Sequence, residues 1–329
     1  MVGTDDAQLF TYCQTFGGWY AVQSMYTIKQ AAERTGIAIP TIRVWERRYG
    51  VVSPKRTPSG YRLYDDESIA RLGAMQRLVE HEGWRASQAA DRIRAASGPE
   101  LEELNAAGRG GEVRAVPPGR PAIAEAVTAV VDAARRLDLR TMDETLDDTF
   151  AGQRFEAAMD GVVFPALRGI GDAWGRGELD VAHEHAASET IRRRIAHYFD
   201  AAARDPGGPT IVVGLPPGSR HELGAFAFAV AARRAGLDSV YLGADVPIDA
   251  WRQTVRDTHP VAAVVAVVAG ADVRSASEVI RAIRQDGATI VAIGGPAAGA
   301  IPEELGAVRL PDGIEEAVAR LLEDVGATR

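Results

Sequence analysis

Residues able to do chemistry gather in three stretches of this 329-residue chain. The first is Pro216-Pro217-Gly218-Ser219-Arg220-His221-Glu222-Leu223-Gly224. This loop displays one imidazole, a nitrogen donor suited to a transition metal or to proton transfer. The second is Trp174, followed after nine intervening residues by Glu184-His185. The third is basic and aromatic: Arg43, Arg47 and Arg48, then Arg56, Tyr61 and Arg62. Guanidinium forks match phosphate oxygens and guanine edges, and a basic surface adds sequence-independent affinity for a polyanion. A lone histidine, or a tryptophan at helical spacing, is more often structural than functional. The elements that position each group must decide.

The histidine loop follows the apolar run Thr210-Ile211-Val212-Val213-Gly214-Leu215 and precedes Ala225–Ala232, a strand–loop–helix order. It predicts His221 at the carboxyl end of a strand, where open α/β sheets bind ligands. Strand and helix patterns then alternate: a strand at 239–243, a helix at 247–257, a strand at 261–269, a helix at 275–285. A strand at 289–293 ends in Gly294-Gly295, and a short fifth at 308–310 precedes a helix at 313–323. Residues 205–329 are therefore expected to form a doubly wound, five-stranded parallel sheet. No Gly-x-Gly-x-x-Gly or P-loop follows the first strand, which argues against phosphate-cradling nucleotide binding.

Upstream, apolar positions recur at helical spacing in 123–137, 142–151, 155–174 and 182–203, which predicts a four-helix bundle over 122–204. Residues 98–121, rich in Gly and Pro, read as a flexible linker. In 25–97, Thr27 and Gln30 fit a capping box and Thr35-Gly36 ends a short helix. Pro40 opens a second helix, and Pro54–Tyr64 reads as a Gly-tipped hairpin. That is a winged helix-turn-helix, with Trp45 expected in its core. Residues 1–24 carry no convincing period and read as a disordered extension.

Charge supports the division. Residues 25–97 hold 13 Lys/Arg against 8 Asp/Glu, a net +5 in a chain of net −8, so the remainder carries −13. A basic module on an acidic body fits double-stranded DNA as partner. Cys13 is the single cysteine, which excludes intrachain disulfides and disfavours metal or thiol sensing through clustered cysteines. The longest apolar run, 260–271, is too short to span a bilayer, and a cytoplasmic, membrane-free protein is expected.

Tyr26-Thr27-Ile28, Trp45-Glu46-Arg47-Arg48-Tyr49-Gly50, Pro54-x-Arg56 and Gly60-Tyr61-Arg62-Leu63-Tyr64 together resemble the DNA-binding domain of the MerR family. The resemblance implies that Arg43 and Arg47 face the major groove. Arg48, Arg56, Tyr61 and Arg62 would grip phosphates. Farther on, His221-x-x-Gly224, Leu242-Gly243-Ala244-Asp245-Val246-Pro247 with Trp251, and Gly294-Gly295 resemble the cobalamin-binding Rossmann-like domain. Trp174-x9-Glu184-His185 matches the helical cap of cobalamin-dependent photoreceptors.

Taken together, the chain resembles the CarH/LitR group of MerR-type regulators. That implies a non-enzymatic, light-responsive repressor with no catalytic residues. Cobalamin, in its adenosyl form, would lie between bundle and sheet and control a dimer or tetramer on promoter DNA. His221 would be the lower axial ligand to cobalt. Trp174, Val181, Glu184 and His185 would roof the upper face, and Gly224, Asp245, Val246, Gly294 and Gly295 would line the site. Three positions depart from the group's pattern. Ser219 stands where an acid precedes the histidine by two residues, and Gly175 stands where a histidine follows the tryptophan. The third strand, Val265-Ala266-Val267-Val268-Ala269, lacks a Ser-x-Leu. Two alternatives stay open: the same architecture sensing another tetrapyrrole, a modified corrinoid or nothing, and a corrinoid carrier for methyl transfer.

Overall fold

A computed structural model describes residues 25–57, 60–106, 120–202, 207–287 and 290–327. The expected extension at 1–24, and 107–119 of the expected linker, lie outside these residues. The chain opens with β1 (Met25–Thr27) and α1 (Ile28–Thr35). The amide of Gln30 donates to the Thr27 hydroxyl (3.3 Å) and the Thr27 amide to the Gln30 side chain (2.9 Å), so the expected capping box is formed. Gly36, at φ +69°, ends the helix in the left-handed conformation. Helix α2 (Ile39–Arg47) follows, with Pro40 in its first turn.

Strands β2 (Lys55–Arg56) and β3 (Arg62–Asp65) form the wing, and β1 adds to β3 to complete an antiparallel sheet. Asp65 caps α3 (Asp66–Gln76), which passes into a π turn at Arg77–His81 before α4 (Ala86–Ala95). Trp45 is 1% exposed, in the head core as expected.

The linker expectation needs correction at its start, because Gly98–Ala106 is helix α5. The Ser97 amide and hydroxyl both donate to the Glu100 carboxylate (2.8 and 2.9 Å), so Ser97-Gly98-Pro99-Glu100 is a helix start. Gly and Pro were read as breakers although Pro is tolerated in a first turn. Leu101 is 2% exposed in the head core.

Four rods build the next unit: α6 (Arg120–Arg135), α7 (Leu139–Gly152), a third rod, and α10 (Val181–Ala201). The third rod is α8 (Phe155–Ala158), a π turn at Met159–Val163 and α9 (Phe164–Gly175) without a break. Asp138 and Asp180 cap α7 and α10 by accepting from Thr141 and His183 amides. Phe150, Phe155 and Tyr198 pack ring on ring at the base of the bundle, with centroids 4.9–5.7 Å apart.

The α/β unit runs β4 (Thr210–Gly214), α11 (Leu223–Arg234), β5 (Asp238–Gly243), α12 (Ile248–Thr258), β6 (Ala262–Ala266) and α13 (Val273–Gln285). It closes with β7 (Ile290–Gly294), β8 (Val308–Arg309) and α14 (Ile314–Ala327). The parallel strands lie in the order β5-β4-β6-β7-β8, so five were expected and five are found. Helices α12 and α13 cover one face over their own core around Trp251. On the other face α11 and α14 share one continuous core with the bundle. Every residue from Ala225 to Ala232 is buried, because α11 is sandwiched between the sheet and α10.

Candidate functional site

The order β5-β4-β6 makes the carboxyl end of β4 a topological switch point, where successive connections leave in opposite directions and open a crevice. His221 stands on the loop leaving it. Its imidazole is exposed and has no side-chain hydrogen bond among the described residues. The loop below it is tied on both flanks. From the β5 side, Asp245 accepts from the Gly218 amide (2.7 Å), and its own amide donates to the Ser219 carbonyl (2.8 Å). Asp245 adopts φ +53°, an uncommon conformation for a side-chain-bearing residue that this double contact holds. From the β6 side, the buried Ser219 hydroxyl donates to Asp272 (2.9 Å), which also accepts from the Val268 and Ala269 amides.

Helix α10 meets the loop at Glu222, which accepts from Arg192 (2.8 Å) and from the Tyr241 hydroxyl (2.9 Å). Burial, then the Glu222 carboxylate, pushes the Tyr241 phenol well above its ordinary range. The hydrogen bond from Glu222 raises Arg192 in turn. From Arg192, α10 runs on for about 16 Å, at 1.5 Å per residue, to Val181 at its start. There Val181 is 55% exposed and Trp174, at the end of α9, 51% exposed. Both side chains stand at the end of the bundle where α9 turns into α10. Beside them Glu184 accepts from Ser188 (2.7 Å) and pairs with His185 Nδ1 (2.7 Å). His183 Nδ1 lies against the capping Asp180 (2.6 Å).

The other expected lining residues divide. Gly224 has nothing within 4 Å of where a Cβ would sit, so the start of α11 beside His221 is open. Gly295, at φ +104°, would bring a Cβ to 2.7 Å from the Val267 carbonyl, so packing within the sheet alone demands glycine there. Gly294 makes only ordinary contact with Leu310. Val246 is buried in the α12–α13 core. Sequence reasoning missed Arg192, Glu222, Tyr241 and Asp272. Adjacency to His221 could have flagged Glu222, whereas no spacing signal points to Asp272, 51 residues away.

The expected DNA-contacting residues are also placed unequally. Tyr61 (72% exposed) and Arg56 project from the wing, and Arg43 and Arg47 are exposed on α2. Arg62 instead donates to Glu46 on α2 (2.9 and 3.0 Å), clamping wing to helix. Arg48 pairs with Asp148 of α7, whose hydrogen bond raises its pKa. The inner side of α2 rests on the bundle: Trp45 Nε1 donates to the Ala151 carbonyl (2.9 Å), and Thr41 shares a buried 2.5 Å hydrogen bond with Tyr198. Behind it, Arg234 at the end of α11 joins Glu80 of the head (2.8 Å) and Glu156 of the bundle (3.0 Å).

Comparison with known proteins agrees with this division. Residues 26–95 match the MerR HTH family regulatory protein, 126–198 a B12 binding domain and 209–321 a further B12 binding domain. A winged DNA-binding head on a bundle and sheet of this kind defines a cobalamin-binding transcriptional regulator. The chain is 33% identical over 265 residues to the HTH-type transcriptional repressor CarH of Myxococcus xanthus, covering 79% of this chain and 84% of that one. To the repressor CarA of the same organism it is 32% identical over 237 residues, 71% and 73% of the two chains. The chain belongs to this family of CarH-like, MerR-type regulators with B12-binding domains. It is a regulator rather than an enzyme. The monomethylamine corrinoid protein of Methanosarcina barkeri shares the fold at a TM-score of 0.52 and 15% identity, covering 61% of this chain and 98% of that one. Among the described residues no helix is long and apolar enough to cross a membrane.

Proposed function

We propose that this regulator holds adenosylcobalamin between bundle and sheet and uses it, in response to light, to control its own assembly on promoter DNA. The observation that carries the reading is His221, an exposed imidazole at the switch point of the sheet with no side-chain hydrogen bond among the described residues. The residues present fit a corrinoid: a free nitrogen donor for cobalt, open space at Gly224, and exposed Trp174 and Val181 at the bundle end. When bound, the cofactor would supply a cobalt–carbon bond that light can break.

The protein's part is differential contact. His221 would hold the cofactor from the sheet side, and Trp174, Val181, Glu184 and His185 would cover it from the bundle side. A change in what those side chains cover would alter their contacts and with them the balance between two arrangements of bundle and sheet. A dimer or tetramer that grips the operator in the dark and separates after illumination follows from such a shift. Gly175 offers no side chain to ligate cobalt afterwards. His183 and His185 are each engaged through Nδ1, by Asp180 and by Glu184, and His185 is the more exposed of the two.

The test is absorbance of the purified protein with adenosylcobalamin before and after green light, alongside gel filtration with and without operator DNA. A bound spectrum with histidine ligation, lost in His221→Ala, and a light-induced fall in oligomer size support the reading. Absence of retained corrinoid overturns it and favours another tetrapyrrole. Methyl transfer to or from the bound cofactor would favour a carrier role.

A further inference from the structure

We infer that Asp272 is the positioning residue of the histidine loop: its carboxylate, acting through Ser219, fixes where His221 is presented. The inference deepens the corrinoid reading above and rests on it. Among the described residues His221 makes no side-chain hydrogen bond, so its place is inherited from the backbone two residues before it. There Ser219, 2% exposed, donates its hydroxyl to Asp272 Oδ2 at 2.9 Å. Asp272 is 7% exposed, and the same oxygen accepts from the Val268 (3.1 Å) and Ala269 (2.9 Å) amides.

Strands β4 and β6 are neighbours, with Gly214 opposite Val265, so Asp272 stitches together the two turns that leave them. Asp245 anchors the loop from the β5 side only. Without Asp272 the loop would keep one flank and lose the other. Groups that orient a metal-bound imidazole typically contribute 10–100-fold in metal affinity.

The arrangement is also directional. Position 219 supplies the hydroxyl and position 272 the acid. A second acid at 219 would set two carboxyl groups at hydrogen-bond distance, where they repel. Exchanging the two residues restores one acid and one hydroxyl across the same gap.

The experiment uses the full chain labelled with [15N]histidine and loaded with cobalamin reduced to Co(II). Its paramagnetic resonance shows a two-line nitrogen splitting when a histidine of the protein is the axial ligand. Affinity by titration and melting of the corrin-free protein are measured alongside. Asp272→Asn should weaken corrinoid binding by about 10-fold or more and lose much of the two-line signal. Ser219→Asp should do the same, and Ser219→Asp combined with Asp272→Ser should recover to within about threefold of wild type. If Asp272→Asn gives no cooperative melt, Ser219→Ala, which leaves the two amide contacts in place, decides by the same readouts. Wild-type signal and affinity in Asp272→Asn, or no recovery in the exchanged pair, overturn the positioning role while leaving the corrinoid reading intact. A wild type that binds no corrinoid, or a two-line signal that survives His221→Ala, overturns both.

Discussion

Two surfaces of this molecule are finished differently. Where the head meets the body, polar groups are buried and matched: Arg234 with Glu80 and Glu156, Thr41 with Tyr198, Trp45 with the Ala151 carbonyl. At the mouth of the sheet His221 stands in the open, as do Trp174 and Val181 at the far end of the bundle. The first surface is largely satisfied by the protein's own groups, and Arg48, expected from the sequence to grip phosphate, is already paired with Asp148. The head is basic and the body acidic, which sequence charge alone suits to DNA. Part of that complementarity is spent within the chain.

The contrast breaks most sharply at Arg234. Arg234→Ala leaves buried Glu80 without its cation and Glu156 with only a long pair to Arg154 (3.8 Å), and should cost about 3–5 kcal/mol in urea denaturation. Trp174→Ala, on the open surface, should change stability by less than about 0.5 kcal/mol. It should still weaken retention of adenosylcobalamin, measured by gel filtration of the loaded protein. Between these lies Asp148→Asn, which releases an exposed arginine pair of about 0–1 kcal/mol. It should raise affinity for non-operator DNA by about two- to fivefold in a low-salt titration, as one more guanidinium becomes free for phosphate.

The smallest effect is that of pH. Partial burial, then Arg194, holds the His197 imidazole below its ordinary 6.5, with Arg43 and Arg193 adding to the fall and Asp200 opposing it. Its contribution to stability is complete above pH 6.5 and is lost as pH falls through the depressed folded value. Melting temperature should therefore drop slightly on acidification, and His197→Gln should flatten that part of the profile.

Periodic and punctuated features were legible in the sequence. The capping box at Thr27, the five strands and their alternation with helices, and the four helical rods all follow from local spacing. His221 was legible because a strand, a Gly/Pro loop and a helix fix its place without any distant partner. What escaped was long-range and polar. Asp272, Arg192 and Tyr241 reach the histidine loop from other elements, and no pattern along the chain records such meetings. Arg48 and Arg62 carried the right chemistry for phosphate, yet carboxylates brought in by α7 and α2 engage them first. Gly295 shows the converse: a residue chosen for a ligand's sake is required by the Val267 carbonyl beside it.

Helix α5 has a practical consequence for dissecting the protein. The match to the DNA-binding family stops at residue 95, and Pro99 invites a cut just before it. A fragment ended there would lack Leu101, which fills the head core at 2% exposure, and Leu104, which packs against it. It would leave a hole lined by apolar side chains and, in a bacterial expression trial, a sticky, half-folded product. Any fragment that carries the head has to include helix α5, to residue 106, one helix past the point where the match to the DNA-binding family ends.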